Sequence, residues 1–493
     1  MADVYRPGSG AASLAPPRAR ADALRLADAG SGDPRATIAT VGLGDVLIQL
    51  GLTPVTAVVP ALAAALHVGA ADGAWLLTSF ILALAGTLLV AGRLGDLLGH
   101  ARLFALGALV YAAAAILAAF APGFQVLLVA RVAQGIGAAM VSGNNLAILT
   151  GAVPARQRGR AIAAVATASS LAAILGAGLG TVVVAGGHWR LLFLATVPIA
   201  VWAAWRARRL PAAETRIPHT AIDWLGAALL ALAITLLSIA LNHPHTTASE
   251  ATMPVFHTWL PTLMILASVA LVLHERRVRV PLLDWRQLRN RGFAAAVGVN
   301  GVLHMTMMAA MFLGPLYVVR GLGLDTTAGG MLLVVIQVSV VATAFLGGWW
   351  YDHTHSRWLR PGAAAVVALG LAAWALSGLL DSYVALIAAG LLAGLGNGVL
   401  LAVNNTVIMG SLPDDARGVA SGMLETTRHF GHAFGVTIPT AILALATAAT
   451  PASEAVGVQH AFVGACLLMA GVAALGALLA IVPGGRRAAS PTR

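Results

Sequence analysis

An all-α membrane protein of fourteen transmembrane helices, built as two pseudo-symmetric six-helix bundles with an inserted two-helix hairpin, is what the sequence predicts. Three observations predict it. First, 59% of the 493 residues are hydrophobic and 10% are charged, with a mean hydropathy of +0.86, whereas soluble domains carry roughly 25% charged residues. Second, continuous apolar runs recur along the chain, each close to the roughly 20 residues a helix needs to cross a bilayer. Third, residues 135–161, GIGAAMVSGNNLAILTGAVPARQRGRA, align without gaps on 394–420, GLGNGVLLAVNNTVIMGSLPDDARGVA, with Asn145, Pro154 and Arg158 matched by Asn404, Pro413 and Arg417. Strand spans would show weaker, alternating runs of about ten residues, and only helices satisfy their own backbone in lipid with runs of this kind.

Taken in order, residues 1–36 scatter Arg6, Arg18, Arg20, Arg25 and Arg35 among Pro, Gly and Ala, with no apolar signal-peptide core. They read as a disordered cytoplasmic tail. Apolar runs start near 38, 72, 101, 124, 159 and 189, giving a first bundle over 38–210. Runs near 222 and 256 form the hairpin, 222–275, which has no counterpart in the repeat and reads as peripheral. Runs near 292, 328, 359, 383, 417 and 460 give the second bundle, 292–482, followed by a cytoplasmic tail, 483–493.

All 30 basic residues are Arg, and they gather on alternate loops: Arg93 and Arg102, Arg156 to Arg160, Arg206 to Arg216, Arg276 to Arg291, Arg357, Arg360 and Arg417. The other side holds only Arg190 and Arg320. The positive-inside rule then puts both termini in the cytoplasm and the protein in a plasma membrane, a bacterial inner membrane being the expected one. The net charge of +11 follows from this asymmetry and calls for no nucleic-acid partner. Cys466, alone of its kind, reads as a small buried hydrophobe. Both repeat copies run from an outside-to-inside helix through a short basic loop into the next helix, the parallel repeat of a transporter whose site lies between its halves.

GRLGDLLGHAR (92–102) falls in the loop between helices 2 and 3. Through Gly92, Asp96, Gly99 and Arg102 it resembles the loop 2-3 signature of the major facilitator superfamily. RVAQGIGAA (131–139) resembles the helix-4 signature of that family's proton-coupled drug exporters. HWRLLFLATVPIA (188–200) and PLLDWRQLRNRGF (281–293) resemble segments of its fourteen-helix drug:proton antiporter branch. LGAGLGT (175–181) resembles the antiporter motif of helix 5, keeping Gly176 and Gly180 but with Ala177 where Pro is expected. The resemblance implies the major facilitator fold and proton-coupled efflux of amphiphilic drugs or metabolites by alternating access. The implied partners are a small amphiphilic substrate, protons and membrane lipids, with the chain acting as a monomer; no cofactor or metal is implied. It further implies a gating latch of Gly92, Asp96 and Gly99 docking on the helix that opens near Arg417, with a degenerate copy, GWWYDHTHSR (348–357), contributing Asp352. An acid at a helix N-terminus is favoured by the helix dipole.

Of 19 acidic residues, Asp45 and Glu425 lie well inside predicted helices, and an ionisable group at membrane depth is a functional candidate by default. Glu425 shares a helix face with Arg428 and His429, and His432 follows one turn on. Either Glu425 carries a proton, poised between burial and a neighbouring guanidinium, or it forms a permanent pair with Arg428. His429 and His432 read as hydrogen-bonded interior residues. The resemblance places an acid where this chain has Gly51; Asp45 stands six residues earlier, about 9 Å away on another face. Asp45 is therefore a proton site of different geometry or a residue facing cytoplasmic water. For Arg131 the resemblance implies a sensor of carboxylate protonation or a substrate contact, with a structural hydrogen-bond hub as the alternative, and Gln134 shares its face.

Substrate-binding candidates are Gln134, Asn145, Asn300, His304 and Asn404, with Asn144, Asn405 and the patch Met305, Met307, Met308 and Met311 beside them. Buried amides of this kind bridge helices or face a wet cavity. A proton symporter or facilitator for a polar metabolite, and a transport-incompetent sensor, remain as other readings. No metal-ligand spacing, nucleophile elbow or phosphate loop points to an enzyme.

Overall fold

Helix starts follow from capping chemistry. Asp33 accepts from the Arg35 amide at 2.9 Å just before Pro34, Asn290 accepts from Gly292 and Phe293, and Asp325 accepts from Ala328 at 2.8 Å. Each satisfies an orphan amide ahead of an apolar run. The computed structural model describes residues 33–154, 157–210, 223–242, 259–278, 287–412, 417–450 and 453–483.

The helices of the first bundle are α1 (Pro34–Ala65), α2 (Trp75–Leu98), α3 (His100–Ala119), α4 (Phe124–Ala152), α5 (Arg158–Ala185) and α6 (Leu191–Ala207, interrupted at Ala195). The hairpin is α7 (Trp224–Asn242) and α8 (Leu260–Glu275). The second bundle is α9 (Arg291–Leu316, continued by a π turn Tyr317–Gly321), α10 (Thr326–Thr354), α11 (Leu359–Leu379), α12 (Tyr383–Gly410), α13 (Arg417–Ala449) and α14 (Glu454–Ala480). Eleven of these are long and apolar enough to cross a membrane, and shorter apolar helices α6, α7 and α8 complete the set of fourteen. The largest departure from the sequence reading is α14, which begins at Glu454 rather than near 460. Its first turns hold Glu454, Gln459 and His460, which hide a helix start from a hydropathy scan, and Ser453 caps it.

The two bundles pack by one plan. α1 lies on α5, α2 on α4, and α3 on α4 and α6; likewise α9 lies on α13, α10 on α12, and α11 on α12 and α14. Close approach of the first of these pairs rests on small residues in both copies. A Cβ on Gly180 would lie 2.7 Å from Pro54 Cβ, and one on Gly431 would lie 2.6 Å from the Gly301 carbonyl. Gly176 also packs on Pro54, and Gly435, its repeat partner, packs on α9 at Met305 and Met308.

Because the helices alternate in direction, the start of α1 and the end of α14 lie at one end of the bundle. At the opposite end the halves close on each other: Gly330 near the start of α10 sits against Thr181 near the end of α5, with Gly178 near Val334. α1 also meets α9 and α10, and α2 meets α13. The hairpin lies at the outside of the molecule, over the seam between the halves. α8 packs on α7, but α7 rests on both α2 and α13, bridging the two halves, and Ala231 approaches Gly86 closely enough for contact. An apolar helix with small residues facing a glycine fits such a seam as readily as it fits lipid.

Candidate functional site

Two polar walls face each other between the halves. Gly44 lets α1 press on α4 at Val141 and Phe104 of α3, and one turn beyond Val141, Asn145 donates through Nδ2 to Asp45 Oδ1. Asp45 and Asn145 are both half-buried. Opposite, the i, i+3, i+4, i+7 spacing of Glu425, Arg428, His429 and His432 lines them along one stripe of α13. Arg428 Nη1 lies 3.2 Å from Glu425 Oε1 and His429 Nε2 3.8 Å from Glu425 Oε2. The Glu425 and Arg428 side chains are 30% and 31% exposed. Asp45 feels the charges of both across the seam between the halves. The structure thus forms the Glu425–Arg428 pair, while Asp45 on the other bundle is held by Asn145 and makes no ion pair with either.

Glycines 431 and 435 bring α9 close to α13, so His304 meets His432 edge to face with ring centroids 5.1 Å apart, and His432 meets His429 at 5.9 Å. For His429 the expectation of a hydrogen-bonded interior residue is corrected here. Neither nitrogen of His304 and not Nε2 of His429 has a hydrogen-bond partner, and these imidazoles associate through their rings. The packing of α9 on α13, set by glycines far from the histidines in type, is what a sequence scan does not weigh.

Arg131 is fully buried, about 21 Å along α4 from Asn145. Its Nε donates to the Leu76 carbonyl at 2.7 Å and Nη1 to Gln134 Oε1 at 2.9 Å, while the guanidinium lies 4.3 Å over the Phe80 ring. Among the described residues its hydrogen-bond partners are neutral, so the hub alternative is the one the geometry displays, and Gln134 is withdrawn from the pocket with it. At Gly51 the Tyr111 hydroxyl fills the space a side chain would take, a substitution of phenol for carboxyl that no local motif signals.

Other pocket candidates turn out to be helix bridges. Asn404 is fully buried and donates to the Ala296 carbonyl at 3.0 Å, away from the opposing bundle. Asn300 donates to the Leu424 carbonyl and Thr427 Oγ1, both at 2.9 Å, tying α9 to α13 behind the histidines. Asn144 holds Met140 and Ala91 carbonyls and His100 Nδ1. Met308 and Met311 are core residues, 1% and 4% exposed. A buried amide in lipid satisfies a neighbouring backbone first, which leaves Asn145, bonded to Asp45, and Asn405 and His304, for which no backbone bridge is seen, as the remaining candidates.

At the terminal end, Gly99 turns between α2 and α3 at φ +95°, a conformation that favours glycine. A Cβ on Gly92 would lie 3.4 Å from the Gly143 carbonyl of α4. Asp96 sits 3.6 Å from Arg93 and 3.4 Å from His100, its own neighbours in sequence. Asp352 is exposed on the last turn of α10. Arg417 opens α13, but its side chain lies outside the described residues, as do 155–156, 211–222 and 279–286.

Comparison with known proteins accords with this arrangement. The chain is similar to the cephamycin export protein CmcT of Amycolatopsis lactamdurans, 28% identical over 87% of this chain and 89% of that one. It is also similar to the multidrug resistance protein Stp of Mycobacterium tuberculosis, 25% identical over 84% of this chain and 76% of the other. The fold matches that of a crystal structure of a D-xylose-proton symporter with a TM-score of 0.63 at 13% identity, covering 92% and 98% of the two chains. The family model described as Major Facilitator Superfamily matches residues 41–436. A chain that repeats one six-helix plan twice, bears polar walls at the seam and matches that model over most of its length is a multi-pass membrane transporter belonging to the Major Facilitator Superfamily.

Proposed function

We propose that the protein exports amphiphilic drugs or metabolites across the plasma membrane in exchange for protons, by alternating access, with both termini in the cytoplasm. The observation that carries this reading is Asp45: a half-buried carboxylate with one amide partner, within electrostatic reach of the Glu425–Arg428 pair of the opposite bundle. Ionised Asp45 draws on Arg428, which Glu425 also holds; protonated Asp45 releases it. The proton thereby changes the attraction between two bundles that must rock against each other. With the arginine-poor end closed, the gap opens toward the arginine-rich side, where cargo is taken up. A membrane potential contributes about 2.3 kcal/mol per charge per 100 mV, enough to drive uphill export if one carboxyl changes protonation per cycle. The export proteins among its relatives support the direction; the likeness to a sugar symporter supports the fold only.

Reconstituted protein under an imposed pH gradient tests this. Asp45→Asn is expected to abolish gradient-driven flux of an amphiphile while cargo–cargo exchange persists, and Glu425→Gln to weaken both by loosening Arg428. Gradient-driven flux at the wild-type rate in Asp45→Asn would remove Asp45 from the coupling. Accumulation in the direction of proton entry would favour the symporter reading, to which Ala177, without the proline of the antiporter motif, also points.

A further inference from the structure

We propose that His304, His429 and His432 form the cargo-recognising wall of the gap, and that this wall selects uncharged planar aromatic compounds bearing hydroxyl or carbonyl groups over quaternary or phosphonium cations. The inference rests on the transport reading only for the statement that what binds there is cargo.

The charges of the gap are accounted for among themselves: Glu425 with Arg428, and Asp45 with Asn145 and the far guanidinium. Apart from Arg428 Nε, a further unpartnered donor, what remains without a hydrogen-bond partner around these rings is neutral. His304 is 4% exposed and His429 7%, yet both ring nitrogens of the first and Nε2 of the second make no hydrogen bond. Asn300 Oδ1, one turn before His304 on α9, is also unpartnered. A buried polar atom left unpaired costs free energy that a ligand can recover.

Each neutral imidazole offers one donor and one acceptor, so the wall complements a ligand that carries both. A cation without N–H or O–H groups would leave every one of these atoms as it found them. The rings add a shape criterion. His304 and His432 stand edge to face at 79°, and His429 and His432 at 82°, a geometry in which a further flat ring can pack against a ring face or edge. His432 is half-buried and forms the lip of the wall, with His304 behind it.

Equilibrium dialysis of the purified full-length protein in detergent, with no gradient, tests the wall separately from coupling. The probes are 1,8-dihydroxyanthraquinone and tetraphenylphosphonium. Wild type is expected to bind the quinone more tightly, with His304→Phe and His432→Phe each losing about tenfold, the loss of one or two hydrogen bonds. His304→Gln, which restores a donor and an acceptor, should recover most of the affinity, and phosphonium binding should be the same in all. Unchanged quinone affinity in both Phe variants overturns the proposal, as does an equal loss for both probes. If His304→Phe fails to fold, His432→Phe at the half-buried lip carries the same comparison. Loss of coupled flux in the Asp45 experiment leaves this binding result standing, and the converse holds.

Discussion

Asp45 and Arg131 show how one residue type in one environment decides a role. Both are ionisable groups inside helices; the sequence marks Asp45 for that reason alone and Arg131 also through the segment RVAQGIGAA. Arg131 has its charge met by a backbone carbonyl, an amide and an aromatic face in the interior of one bundle. Arg131→Gln is therefore expected to lower the thermal unfolding midpoint, with a loss of about 2–3 kcal/mol from a charged hydrogen-bond pair. The proton:cargo ratio of the surviving protein should not move; a changed ratio at unchanged stability would return Arg131 to the coupling machinery. Asp45 lay within reach of a sequence reading, and so did Asn145, but their pairing spans 100 residues of chain and depends on Gly44 admitting α4. Hydropathy finds buried charge; it does not find which other charge or amide the packing brings to it.

Among elements, helix number, direction and most starts were legible, because crossing lipid constrains length and composition and because Asp, Asn and Ser before an apolar run act as caps. The place of α7 was not legible, since an apolar helix carries no mark that tells a lipid face from a protein seam. The pairing of α1 with α5 and α9 with α13 is written in Gly176, Gly180, Gly431 and Gly435, yet the first two read only as a motif, and the other two carry no mark of their own, until their neighbours are known. Gly180→Leu should force α5 off Pro54 and cost about 1–3 kcal/mol by overpacking, read as a lowered unfolding midpoint. Gly362→Leu, whose Cβ meets nothing within 4 Å, should leave it unchanged.

At the scale of the whole molecule, the closed end supplies a handle on the transport cycle. A Cβ on Gly330 would stand 2.7 Å from Thr181 Cβ, close enough for a disulfide after a small shift. In a Cys466→Ser background, oxidised Gly330→Cys/Thr181→Cys protein is expected to stop transporting and to recover on reduction. Transport that persists in the oxidised form would mean that the two bundles need not part at that end.

The seat of α7 gives the molecule unequal flanks. Where α2 of one bundle runs beside α13 of the other, the hairpin covers the join like a gasket, while α5 and α10 meet without such a cover among the described helices. A solute dissolved in the lipid leaflet therefore meets a sealed edge on one side and a bare one on the other. Its lateral approach has a handedness that the twofold repeat of the bundles does not possess.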